Sequence, residues 1–83
     1  MSMHFARLAS SPRLQRVHAF LEDRLEHSTL EVALGAQVVN PGTYISELRA
    51  QGAVIECRQT TSQPRGERVW LYRMTTPVPG AAA

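Results

Sequence analysis

The 83-residue chain, 43 % hydrophobic with nine Arg, no Lys, seven acids and a formal charge of +2, is the size of one single-core domain and too small for a deep cleft between two lobes. No apolar run reaches the roughly 18–20 residues of a membrane span, the first ten residues lack a signal peptide's apolar block, and the lone Cys57 excludes an internal disulfide or cysteine-rich zinc site, so a cytoplasmic protein with no membrane partner is expected. The charge surplus falls in residues 36–83, five Arg against three acids, which permits a polyanionic partner without requiring one.

Residues 1–10 show no clear periodicity and are expected to form a flexible N-terminal arm, from which Met3, Phe5 and Leu8 can dock on the domain. Ser11 followed by Pro12 has the form of an N-cap and first helical residue. Leu14, Val17, Leu21 and Leu25 then repeat at three- and four-residue spacing, which predicts a helix to about Glu26. His18 and Phe20 flank that stripe in packing roles. Ser28 and Glu31 form an S-x-x-E capping box, so a short second helix starts at once, with Leu30, Val32, Ala33, Leu34 and Ala36 as its apolar surface. Gln37, Val38 and Val39 read as a connection.

Residues 40–52 spell out a third helix from start to stop. Asn40 suits the N-cap, Pro41 the first helical position, and Gly52 the left-handed conformation past the end. Pro41, Ile45 and Leu48 share the buried side, which turns Thr43, Ser46, Glu47 and Ala50 outward. Two helices flanking a turn of about three or four residues have the spacing of a helix-turn-helix unit.

Beyond Gly52 the pattern changes to β-branched and aromatic runs at residues 53–59 and 68–74, separated by TTSQPRGE, which predicts a two-stranded hairpin. Trp70, Tyr72 and Met74 share the face expected to cover the helices, and Val69, Leu71 and Arg73 share the other. Cys57 is expected inward beside Ile55 as a small hydrophobe. Arg58, Arg65, Arg68 and Arg73 bracket the loop with positive charge. The closing TTPVPGAAA, with two prolines and no charge, predicts a disordered tail over residues 75–83. The domain is therefore expected over residues 11–74.

The segment EVALGAQVVNPGTYISELRAQGAVIECRQ, followed by GERVWLYRM, resembles the small winged helix-turn-helix domains of phage and prophage DNA-binding proteins. In that family the third helix ends in a pattern like I-x-x-L-R-x-x-G, matched here by Ile45, Leu48, Arg49 and Gly52, and a hairpin with a Tyr-containing strand forms the wing. The likeness covers residues 11–74 and departs where the family carries Gly between helices two and three; this chain has Gln37 there, with Gly35 two positions earlier. The resemblance implies an α+β fold, three helices followed by a two-stranded β-hairpin wing. It further implies double-stranded DNA as partner, with helix three in the major groove and the wing beside the backbone or minor groove.

The residues themselves offer DNA-binding candidates. Thr43 and Ser46 carry short hydroxyls that reach phosphates or base edges, and Asn40 lies at a helix N-terminus, where a plain cap and a phosphate contact are both open readings. Arg49 has two readings, a phosphate contact or an intramolecular ion pair. Glu47 repels phosphates; it either accepts from cytosine N4 or is a solvated charge paired with Arg49 or Gln51. Arg58, Arg65 and Arg68 bracket a Gly-containing tip suited to a phosphate backbone or narrow minor groove. If four Arg neutralise phosphates, log K falls against log salt with a slope of about −3.6.

Catalytic readings fare poorly. His4, His18, His27 and Cys57 have no metal-ligand spacing, Glu22, Asp23 and Glu26 around Arg24 look like a solvated face, and the glycines form no phosphate loop. No enzyme activity, cofactor or metal is expected. The expected role is that of a small regulator or accessory factor of a phage or mobile element, for which useful specificity calls for a homodimer or tandem binding. The alternative is an interaction module that binds or inhibits a host protein, favoured by low net charge, Glu47 and outward Val69 and Leu71.

Overall fold

The computed structural model describes residues 7–62 and 65–80; Met3, His4, Phe5, Gln63, Pro64 and the last three residues of the expected tail lie outside the described residues. A single 3-10 turn, Leu8–Ser10, precedes α1 (Pro12–Leu21), β1 (His27–Ser28), α2 (Thr29–Ala36), α3 (Pro41–Ala50), β2 (Val54–Ser62) and β3 (Glu67–Thr76). The fold is α+β, with three helices and one antiparallel sheet in the order β1-β3-β2. The expected two-stranded hairpin is thus part of a three-stranded sheet. The third strand is only two residues long, too short to leave an alternating pattern in the sequence.

The Ser11 hydroxyl accepts from the Leu14 N–H at 3.2 Å and Pro12 occupies the first turn, so α1 starts where its cap and proline dictate. It ends at Leu21 rather than near Glu26. Asp23 Oδ1 accepts from the Leu25 N–H at 2.9 Å and Arg24 adopts a left-handed φ of 65°, a side-chain-to-backbone bond that competes with helix continuation. His27 and Ser28 then pair with Tyr72 and Leu71 of β3. Leu25, placed in the buried stripe by its spacing, is 61 % exposed.

The capping box of α2 is present in both directions: Ser28 Oγ accepts from the Glu31 N–H at 3.0 Å, and Glu31 Oε1 accepts from the Ser28 N–H at 2.7 Å. At the other end Arg16 donates through Nε to the Ala36 carbonyl (2.8 Å) and through Nη2 to that of Gln37 (3.3 Å), satisfying carbonyls that a helix C-terminus leaves open. Gln37, standing where the resemblance calls for glycine, takes the glycine conformation, φ 58° and ψ 51°. A side chain there is strained by about 1–2 kcal/mol. Gln37→Gly is therefore expected to raise stability by roughly 0.5–1 kcal/mol, after the added entropy of the unfolded chain. Urea denaturation would read this, and a loss of stability would contradict it.

Gly35 lies against the Phe20 ring, which occupies the space a Cβ would need, and that ring meets His27 in a tilted contact with centroids 4.5 Å apart. The core gathers Leu14, Val17 and Leu21 of α1, Val32 and Ala36 of α2, Val38 of the connection, Ile45 and Leu48 of α3, and Ala53, Ile55, Met74 and Val78. Pro41 is buried with Ile45 and Leu48, as the spacing predicts.

Residues 75–80 do not form a disordered tail. Thr75 and Thr76 continue β3, Val78 is buried, and its N–H donates to the Nε2 of the buried His18 at 3.2 Å. Pro79 rests on Gly52, whose φ of 105° and lack of a Cβ let the segment approach; a Cβ would sit 2.8 Å from Pro79 Cδ. An apolar Val facing the end of α1 and a partner for a buried imidazole outweigh the proline-rich composition.

β2 and β3 pair from Ile55 opposite Met74 to Ser62 opposite Glu67, longer than the pattern predicts. Only their inner ends meet the core. Cys57, expected inward, is exposed, because two residues past Ile55 the same face has already left the helices. Along the aromatic face Met74 is buried, Tyr72 half-buried and Trp70 47 % exposed.

Candidate nucleic-acid interface

α3 is oriented by its buried side, and at about 100° per residue Thr43, Ser46 and Ala50 then fall within roughly 60° of one another on the opposite side. All three are exposed. The two charged residues of the helix flank this strip. Arg49 donates through Nε (3.2 Å) and Nη2 (2.6 Å) to the Ile55 carbonyl, so it makes neither an ion pair nor a free cation; it ties α3 to the edge strand β2. Glu47 is half-buried, and its Oε1 is shielded from solvent without a hydrogen-bond partner among the described residues. It is not the solvated charge at the centre of the outward face that its position suggests.

Asn40 occupies the N-cap position of α3 but its side chain makes no capping bond, because φ −129° and ψ 80° place it outside usual N-cap geometry. The Thr43 N–H is taken by the Asn40 carbonyl at 3.2 Å instead. The Asn40 amide is left exposed at the start of the strip.

On the hairpin, Arg58 is held by Glu26 through two short contacts, Nε to Oε2 at 2.6 Å and Nη2 to Oε1 at 2.8 Å. A paired guanidinium of this geometry is a bidentate intramolecular bridge rather than a free phosphate ligand. Arg73 donates to the Arg24 carbonyl at 2.9 Å, and Arg24 donates to the Thr75 carbonyl at 3.1 Å. Arg65 and Arg68 remain. Both are exposed at the outer end, and neither guanidinium has a partner among the described residues. The same holds for Arg7 and Arg13, which the sequence reading left out and which no motif marks.

No protein-family model, curated protein or solved structure matches the chain. The site is therefore characterised by its own chemistry. No helix among the described residues is long and apolar enough to cross a membrane. No three His, Cys, Asp or Glu among the described residues are grouped to hold a metal. A groove of about 590 Å³ runs between the 3-10 turn, α1 and residues 78–80; two of its polar side chains are engaged within the fold, His18 with the Val78 N–H and Gln51 Oε1 with the Leu8 N–H at 2.9 Å.

Two carboxylates at the junction before β1 are held in their charged form by their neighbours. The Leu25 N–H, with His27 beside it, holds the Asp23 carboxyl below its ordinary value of 3.8, and the Arg58 guanidinium holds Glu26 below 4.5. Both folded values are depressed, so their stabilisation is present above those pH values and lost as the pH falls through the lower folded ones. Stability is expected to fall as pH drops below about 4.5, and Glu26→Gln should flatten that fall in a pH series of urea denaturation midpoints.

Proposed function

We propose that this protein binds double-stranded DNA as a winged helix-turn-helix module, with α3 in the major groove and the tip of the β2–β3 hairpin on the adjacent backbone. The observation that carries the reading is the division among the cations. Arg16, Arg24, Arg49, Arg58 and Arg73 are engaged within the fold; of the four exposed arginines without a partner among the described residues, Arg7 and Arg13 lie near the start of the chain, and Arg65 and Arg68 project together from the outer hairpin, beyond any contact with the core. Unpaired cations on a protruding ribbon suit a phosphate backbone. Support also comes from the short connection between α2 and α3 and from the uncharged strip of Thr43, Ser46 and Ala50 on α3, beside which Glu47 is half-buried. The chain would serve as a small regulator or accessory factor of a phage or mobile element, with a binding rather than catalytic role.

A titration of binding to a mixed-sequence duplex against salt tests this. With two free wing arginines the slope of log K against log salt should be about −1.8, shallower than four arginines would give. Absence of binding at low salt would overturn the reading. A second reading, docking on a host protein, is favoured by exposed apolar side chains: Leu30 at 66 % and Leu34 at 71 % lie one turn apart on α2.

A further inference from the structure

Resting on the DNA-binding reading, we propose that α3 selects A·T base pairs, contacting thymine 5-methyl groups with the methyls of Thr43 and Ala50 and an adenine edge with the Asn40 amide. In the major groove guanine is read chiefly by Arg or Lys donating to O6 and N7, and the cytosine N4 amino group by a carboxylate. α3 has one residue of each kind, and the fold engages the first and half-buries the second. Arg49 is bound through two nitrogens to the Ile55 carbonyl, and Glu47 is half-buried with one carboxylate oxygen closed to solvent.

What stays exposed is chemically suited to the other base pair. Thr43 and Ala50 present methyl groups, which pack against the thymine methyl, and Asn40 carries an amide with both a donor and an acceptor, the combination that pairs with adenine N6 and N7. The Asn40 side chain spends neither on capping α3. From Thr43 to Ala50 the helix rises about 10 Å, the length of roughly three base-pair steps. Side chains this short also let the helix backbone come close to the groove floor, where methyl contacts form.

Selection of bound duplexes from a random pool, followed by replacement of thymine by uracil in the selected core, tests this directly. The selected sites should share a run of about three A·T pairs, and removing a contacted thymine methyl should weaken binding about fourfold. In the Thr43→Ser variant, which keeps the hydroxyl and loses the methyl, replacing the thymine that Thr43 contacts should carry no penalty, while the penalty at the thymine facing Ala50 should persist. Duplex binding with no A·T enrichment, or with no uracil penalty in the unaltered protein, would overturn the proposal while leaving the DNA reading intact. Absence of binding to every duplex at low salt would overturn both.

Discussion

Replacing Leu48 by Ala is expected to cost about 2–5 kcal/mol of folding stability. Leu48 is fully buried, in the same cluster as Leu14, Val17 and Ile45, and its carbonyl accepts from the N–H groups of both Gln51 and Ala53 in the turn that sends the chain from α3 into β2. Truncation leaves a cavity where α3 seats on α1, and a close-packed interior relaxes only partly around it. A domain of this size has roughly 4–12 kcal/mol of stability in total, so the loss is a large fraction. Leu25→Ala supplies the contrast: it belongs to the same kind of sequence stripe but is mostly exposed, and should change stability by less than about 0.5 kcal/mol. Urea denaturation of the two variants distinguishes them, and equal losses would contradict the packing described.

Leu25 also shows where the periodicity of this chain stops being informative. The three- and four-residue repeat from Leu14 runs through it without interruption, and nothing in that repeat reveals that Asp23 will fold its carboxylate back onto the Leu25 N–H or that His27 and Ser28 will join β3. Local elements with their own chemistry were legible: the Ser11–Pro12 start of α1, the Ser28–Glu31 capping box, and the buried side of α3. These signals act over one helical turn. The ordered segment at residues 75–80 depends on a buried His18 sixty residues away in the chain, a partner that composition alone does not disclose.

At the candidate site, the exposure of the short side chains was legible in the sequence and the partners of the charged ones were not. Asn40, Thr43 and Ser46 are exposed as their helical positions require. The charged residues differ because long side chains find partners that sequence neighbours do not announce: Arg58 reaches Glu26 across the sheet, and Arg49 reaches a strand carbonyl. Of the three wing arginines assigned to DNA, the fold leaves two unengaged. Shorter side chains have fewer places to go, so their exposure follows the backbone directly.

Removal of both free wing cations, Arg65→Ala with Arg68→Ala, is accordingly expected to weaken binding to any duplex by about tenfold or more for each residue, since a hydrogen bond to a charged group contributes about 1.5–3 kcal/mol. The loss should be uniform across sequences and should bring the salt slope from about −1.8 toward zero, because phosphate contacts position a protein without reading bases. Folding stability should change little, as neither guanidinium has a partner among the described residues to leave unsatisfied. Glu26→Gln provides the opposite case. It replaces the carboxylate that holds Arg58 with a neutral amide, freeing a third cation on the hairpin, so it should steepen the slope by about 0.9 if Arg58 then reaches a phosphate. Fluorescence anisotropy with a labelled duplex over a salt series measures all three proteins. A double alanine variant that binds as tightly, with the same slope, would remove the hairpin from the interface and shift the electrostatic contact to Arg7 and Arg13 at the other end of the chain.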